Sequence, residues 1–239
     1  MPAICMTSRA IPLLALVTAL FAGCNGRSSQ NEATAAAPEA TQEHSSGSED
    51  GFPDPQTYAH RLDGPARDEW QKPKEVIDLL ECQPGMTAVD LGTGTGYFLS
   101  HLSKAVGGQG RVLALDISQG LINALPARLE KEGLSNVQLG LIAPDDPGLT
   151  PRSVDRILIA NTWHHISNRV SYAEKLFAAL RPGGLLLIVD FTMDSLEGPP
   201  PRKRLTSDTV VRELEAAGFT VEVGEESLPY QYAVSGRVP

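Results

Sequence analysis

The chain has 239 residues, enough for one good-sized domain plus extra segments, and its 41% hydrophobic and 21% charged residues are the balance of a soluble globular protein. A formal net charge of −9 repels a phosphate backbone and argues against a general nucleic-acid binder. With Cys5, Cys24 and Cys82 as its only cysteines, the folded part can form no internal disulfide and offers no Cys/His metal spacing.

Met1 to Arg9 carries a basic residue and no acid, and Ile11 to Phe21 is an apolar run shorter than the roughly 20 residues a bilayer requires. Ala22, Gly23 and Cys24 follow, which is the order of a secretory signal peptide. Leu20-Phe21-Ala22-Gly23-Cys24 resembles the bacterial lipobox, with Phe21 standing where Leu is usual. The resemblance implies a lipoprotein signal peptide over residues 1–23, a diacylglyceryl thioether on Cys24 and a membrane as partner. Asn25 is not the aspartate that commonly retains lipoproteins at the inner membrane, so the expected place is the periplasmic face of the outer membrane. A cytoplasmic location follows if the signal is not used. Residues 24–53 are rich in Ser, Ala, Thr, Glu and Gly without an apolar face, a composition that cannot bury enough surface to fold and suits a tether.

From residue 54 the pattern is that of a domain. Pro73 suits the first turn of a helix carrying Val76, Ile77 and Leu80, and Pro84-Gly85 ends it. Thr87 to Leu91 reads as a short buried strand. Phe98, Leu102, Ala105 and Val106 mark a helix that ends at Gly107-Gly108, and Arg111 to Asp116 is a second strand. Ser118 caps a helix running to about Glu132, which Pro126 is expected to kink or interrupt. Strands follow at Val137 to Ile142 and Asp155 to Ala160. A helix faced by Val170, Ala173, Leu176, Phe177 and Leu180 leads to a turn, Arg181-Pro182-Gly183-Gly184, and then to the apolar strand Leu185 to Asp190. Val210, Val211, Leu214 and Ala217 form the last helical face, with strands at Thr220 to Val223 and Tyr230 to Val234. Apolar strands separated by amphipathic helices predict an α/β, doubly wound, mostly parallel sheet covered on both faces, with any ligand beyond the carboxyl ends of the strands.

The first strand runs into Asp90-Leu91-Gly92-Thr93-Gly94-Thr95-Gly96-Tyr97. No Gly-Lys-Ser/Thr is present, so this is not a P-loop, and Tyr97 occupies the place of the third dinucleotide glycine. Asp90 before the loop would repel a pyrophosphate. An acid followed by G-x-G-x-G, a second acid (Asp116) at the end of strand two and the Arg-Pro-Gly-Gly segment before strand five together resemble the class I S-adenosylmethionine-dependent methyltransferases. The resemblance covers roughly Asp54 to Val234 and implies a seven-stranded sheet and S-adenosylmethionine as cofactor. It further implies that Asp90 holds the methionine amino group, directly or through water. Gly92, Gly94 and Gly96 would give close backbone contact, Asp116 would accept both ribose hydroxyls and Ile117 would pack on adenine. Asp145 or Asp146 would accept from the adenine amino group, although Pro144 to Pro147 equally suits a plain turn. Tyr97 is counted with the cofactor-binding set.

Asn161-Thr162-Trp163-His164-His165 ends strand four, where acceptor and methyl group meet in this family. It is not Asn-Pro-Pro-Tyr, the pattern of DNA base-amino methylation. Asn161, His164 and His165 are the candidate catalytic residues, a histidine being able to take a proton from the acceptor near neutral pH. The alternative for the pair is one His packed on the sheet and one solvated. Trp163 and Trp70 are candidate substrate contacts, and Arg67, Trp70, Gln71 and Lys72 either close over the cofactor or simply begin a surface helix. The expected function is methyl transfer to a small-molecule acceptor by a membrane-tethered domain. The alternative is a lipid-anchored module that binds cofactor or ligand without catalysis, since S-adenosylmethionine is made in the cytoplasm.

Overall fold

The computed structural model describes Asp63 and residues 66–239. The expected signal peptide, Cys24 and the tether to residue 53 lie outside the described residues. The helices are α1 (Arg67–Gln71), α2 (Pro73–Leu79), α3 (Leu99–Val106), α4 (Gln119–Glu132), α5 (Arg169–Ala179) and α6 (Ser207–Ala216). The strands are β1 (Thr87–Leu91), β2 (Arg111–Asp116), β3 (Val137–Leu141), β4 (Val154–Ala160), β5 (Leu180–Phe191), β6 (Thr220–Val223) and β7 (Gln231–Arg237). They form one sheet in the order β3-β2-β1-β4-β5-β7-β6. β1 to β5 are parallel, and β7 runs antiparallel between β5 and β6.

The strands are apolar along both faces because both are covered. Val154, Ile157 and Ile159 of β4 point into a cluster with Tyr172 and Leu176 of α5 and Val210 and Leu214 of α6. Leu158 points the other way, to Val76 of α2, Leu99 and Leu102 of α3 and Leu125 of α4. Local signals set the helix ends: Pro73 opens α2, the Ser118 hydroxyl accepts from Leu121 N (3.4 Å), and the Thr206 hydroxyl accepts from Thr209 N (3.3 Å).

Two local expectations are corrected. α4 runs unbroken through Pro126, which lies on its exposed face, where water can serve the carbonyl that loses its N–H partner. Arg181-Pro182-Gly183-Gly184 is not a turn ahead of the strand but an irregular stretch within β5. Val154 pairs with Leu180 and Arg156 with Leu185, so the extra residues bulge out opposite Asp155.

The chain leaves β1 toward β2 on one side and returns after β3 to β4 on the other. This topological switch opens a crevice at the carboxyl ends of β1 and β4.

Candidate active site

A cleft open to solvent occupies that crevice. Its walls come from the carboxyl ends of the strands and the residues just beyond them: Leu91, Gly92 and Gly94 at β1, Asp116 and Ile117 at β2, Ile142 and Pro144 after β3, and Asn161, Thr162, His165 and Ile166 after β4. Leu121 and Tyr172 complete it from α4 and α5.

Asp116 is buried, and its carboxylate is held from two sides, Oδ2 by Gly94 N (2.9 Å) and Oδ1 by Ser118 N (2.9 Å). Two backbone donors fix the carboxylate at the cleft wall and leave each oxygen further acceptor capacity. Beside it Ile117, 44% exposed, presents an apolar side chain at the cleft wall. The glycines divide the work. A Cβ on Gly92 would lie 2.4 Å from Thr162 Oγ1, so this glycine lets the loop meet the end of β4. A Cβ on Gly96 would lie 2.7 Å from Leu125 and 2.8 Å from Leu99, so Gly96 lets the loop pack on α4 and α3, and it is not part of the cleft lining. In front of Gly94 the nearest such atom is 3.9 Å away, and the backbone stands open to the cleft.

Asp90 lies behind the cleft lining, 3% exposed, accepting from the Thr93 hydroxyl at 2.8 Å. Burial pushes its carboxyl up from 3.8 to about 6; Thr93 and the Arg67 guanidinium oppose the rise and Asp116 adds to it. Between these values the native state holds a proton that the unfolded chain has lost. The group therefore favours folding most at low pH, and that contribution declines as pH rises to about 6. A cofactor ammonium held by Asp90, directly or through water as the family resemblance implies, would favour the ionised form. Cofactor affinity, followed by calorimetry, is expected to rise from about pH 5 to about pH 7, and Asp90→Asn to flatten the rise.

At the end of β4, Asn161 adopts a left-handed backbone (φ 57°), which asparagine tolerates better than most residues. Its Nδ2 donates to Gln71 Oε1 (2.9 Å), and its Oδ1 accepts from Gln231 Nε2. His165 lines the cleft. His164 sits behind it with a side chain only 3% exposed, its Nδ1 at 2.8 and 2.9 Å from the two oxygens of Asp190. With a carboxylate as partner, Nδ1 is the donor of this contact. The two imidazoles lie 4.2 Å apart between centroids. This arrangement matches the alternative of one packed and one outward histidine, with Asp190 as an addition.

Other expected site residues are placed elsewhere. Trp163 is fully buried, and its Nε1 donates to Glu213 (2.9 Å), so it belongs to the core rather than to a pocket wall. Trp70 packs on Phe191 (5.9 Å between centroids) and is not part of the lining. Tyr97 donates to Asp68 (2.5 Å) and lies under the Arg67 guanidinium, anchoring α1 instead of facing the cleft. Asp145 and Asp146 are exposed on a turn closed by Gly148 N to Asp146 Oδ1 (2.9 Å), and the cleft wall there is Ile142 and Pro144. The turn reading thus describes them. Sequence reasoning missed Asp190, although an acid at the end of an apolar strand is the same signal that marked Asp90 and Asp116. It also missed Gln231, for which no local signal exists.

A doubly wound sheet with an antiparallel β7 between β5 and β6, an acid–glycine loop after β1 and a second acid at β2 defines a nucleoside-binding α/β domain of the methyltransferase type. Comparison with known proteins agrees. A family model described as a methyltransferase domain matches residues 89–186. A crystallised S-adenosylmethionine-dependent methyltransferase from Aquifex aeolicus is 32% identical, with a TM-score of 0.71 over 78% of this chain and 99% of that one. A ubiquinone/menaquinone biosynthesis C-methyltransferase of Hydrogenovibrio crunogenus is 28% identical over 120 residues, 50% of this chain and 47% of that protein. An uncharacterized 37.1 kDa transposon protein of Streptomyces fradiae is 33% identical over 124 residues, 51% and 34% of the two chains. The chain spans about a third to a half of the length of these curated relatives. It belongs to the class I S-adenosylmethionine-dependent methyltransferases. The residues present fit that cofactor: a fixed carboxylate for vicinal hydroxyls at Asp116, an exposed apolar surface for a base at Ile117, and open backbone at Gly94.

Proposed function

We propose that this chain methylates a small, largely apolar acceptor carrying an ionisable hydroxyl, of the phenol or quinol class, and that a lipid on Cys24 holds it at a membrane. The observation that carries the first part is the cleft itself. Asp116 and Ile117 stand on the β2 side and Asn161 and His165 on the β4 side of one crevice, so cofactor and acceptor groups face each other across it. The quinone C-methyltransferases among the relatives support the acceptor class.

S-adenosylmethionine supplies an electrophilic methyl on a sulfonium whose charge is lost during transfer. The chain's own residues supply alignment and exclusion of water, with Leu91, Ile142 and Ile166 as apolar wall and Asn161 as a polar contact. A phenolic hydroxyl has a pKa near 10, so a base matters at neutral pH, and His165, which lines the cleft, is the imidazole assigned to remove the proton. A screen of phenols, quinols, thiols and amines with labelled methyl donor tests the reading. With a positive acceptor, His165→Ala is expected to lower turnover on the order of a hundredfold at neutral pH, with cofactor affinity kept. The defect should shrink toward about pH 9, where the acceptor ionises unaided. Equal activity of wild type and His165→Ala across that range removes the base. Firm cofactor binding with no transfer to any acceptor is the behaviour of the non-catalytic module.

The anchor rests on the signal-like order of residues 1–24. Full-length protein made in a Gram-negative host should fractionate with membranes and carry lipid, and Cys24→Ser should release it. A soluble protein retaining Met1 would end the anchor proposal.

A further inference from the structure

We infer that Arg67, Gln71 and Gln231 are positioning residues for the acceptor side of the cleft. With Asn161, the two glutamines close a ring of three amides whose donor–acceptor sense is set by the Arg67 guanidinium. This rests on the proposed function, in which the acceptor meets Asn161.

The ring joins three distant parts of the chain: Gln71 ends α1, Asn161 follows β4 and Gln231 opens β7. Asn161 Nδ2 donates to Gln71 Oε1 (2.9 Å), Gln71 Nε2 donates to Gln231 Oε1 (2.7 Å), and Gln231 Nε2 donates to Asn161 Oδ1. Within the ring each amide gives one hydrogen bond and takes one, and Gln71 Oε1 takes a second from Arg67. Gln71 and Gln231 are 0% and 1% exposed, whereas Asn161 reaches the cleft wall. Buried amides must keep their partners, since stranding one costs about 1–3 kcal/mol.

Such a ring has two self-consistent senses. Turning one amide alone sets oxygen against oxygen and nitrogen against nitrogen at its two contacts, so the three turn together or not at all. Arg67 chooses between the senses. Its Nη2 lies 3.2 Å from Gln71 Oε1, and a guanidinium carries only donors, so the Gln71 atom it meets is oxygen. The remaining atoms follow in order around the ring, ending with nitrogen of Asn161 on the Gln71 side and oxygen on the Gln231 side. Arg67 is itself held in place, its guanidinium carbon 3.8 Å from the Tyr97 ring centroid and 5.8 Å from those of Trp70 and Phe98. A chain of contacts from α1 thus determines which hydrogen-bonding face Asn161 turns to an acceptor.

The test uses the full chain with Gln231→Glu, Gln231→Met, Arg67→Met and Arg67→Lys. A protonated carboxyl donates and accepts as an amide does, while a carboxylate cannot donate. Gln231→Glu should therefore lose the ring at high pH and recover it as pH falls, and Gln231→Met should lack it throughout. The first readout needs no turnover: the side-chain NH₂ resonances of Asn161 in labelled protein should keep their wild-type positions in Arg67→Lys and in acidified Gln231→Glu. They should move in Arg67→Met, Gln231→Met and Gln231→Glu at high pH. The second readout is kcat/KM with an acceptor from the screen, taken relative to wild type at each pH. It should fall on the order of tenfold to a hundredfold in the ring-broken states. It should return in the conservative variant and at low pH, while cofactor affinity of the Gln231 variants stays within about twofold of wild type. Asn161 resonances indifferent to Arg67→Met, Gln231→Met and the pH of Gln231→Glu would overturn the inference, as would wild-type kcat/KM in Gln231→Met. If Arg67→Met does not fold, the pH response of Gln231→Glu decides alone. If no acceptor turns over, the function reading fails while the resonances still judge the ring.

Discussion

Trp163→Ala is expected to lower the folding stability of this protein by about 3–5 kcal/mol, the range for emptying a large buried aromatic site. The residue is fully buried in the cluster between β4, α5 and α6, and cavity formation adds to the lost transfer energy. Removing the indole also takes away the donor to Glu213 Oε2, although Glu213 keeps Arg169 at 2.8 Å. Trp163→Phe keeps most of the volume and should lose far less. Urea unfolding followed by circular dichroism measures both. Unchanged stability in Trp163→Ala together with a raised acceptor KM would return Trp163 to the substrate site.

Asp116→Ala is expected to weaken S-adenosylmethionine binding by about 1–3 kcal/mol, up to about two orders of magnitude in Kd. Two effects act in the same direction. The cofactor loses a carboxylate suited to its vicinal hydroxyls, and Gly94 N and Ser118 N lose the acceptor that fixes the loop beside the cleft. Asp116→Asn retains one acceptor oxygen but sets an NH₂ toward one of the two backbone N–H groups, so it should fall between alanine and wild type. Calorimetry, with circular dichroism to confirm folding, gives the order.

The fold was legible because its signals are local and repeated. Apolar runs of strand length alternate with helical faces, and Pro73, Ser118 and Gly107 mark boundaries that the chain respects. Even so, two boundary readings needed tertiary context. Pro126 is tolerated because it faces solvent, and the Arg-Pro-Gly-Gly segment stays in the sheet because Leu180 already pairs with Val154. On the cofactor side, Asp116, Ile117, Gly92 and Gly94 reach the cleft because they lie at or just beyond the carboxyl ends of β1 and β2, which are neighbours in the sheet. The acceptor side was less legible. Trp163 and His164 belong to the same short stretch as Asn161 and His165, yet the 3₁₀ turn at Trp163–His165 sends Trp163 into the core and His164 against Asp190. Composition does not reveal which residues a one-turn helix points inward. Gln71 and Gln231 act only through each other and Asn161, across separations of 70 to 160 residues, and such a ring leaves no periodic trace.

The central claim is that the crevice between β1 and β4 is an S-adenosylmethionine site built on Asp116. Titration calorimetry of the full chain with S-adenosylmethionine, S-adenosylhomocysteine and NAD, repeated on Asp116→Ala, tests it most directly. The expected result is one site per chain for the two S-adenosyl ligands, none for NAD, and affinity reduced as above in a folded Asp116→Ala variant. Binding of NAD in place of the S-adenosyl ligands, or S-adenosylmethionine affinity indifferent to Asp116→Ala, would contradict it.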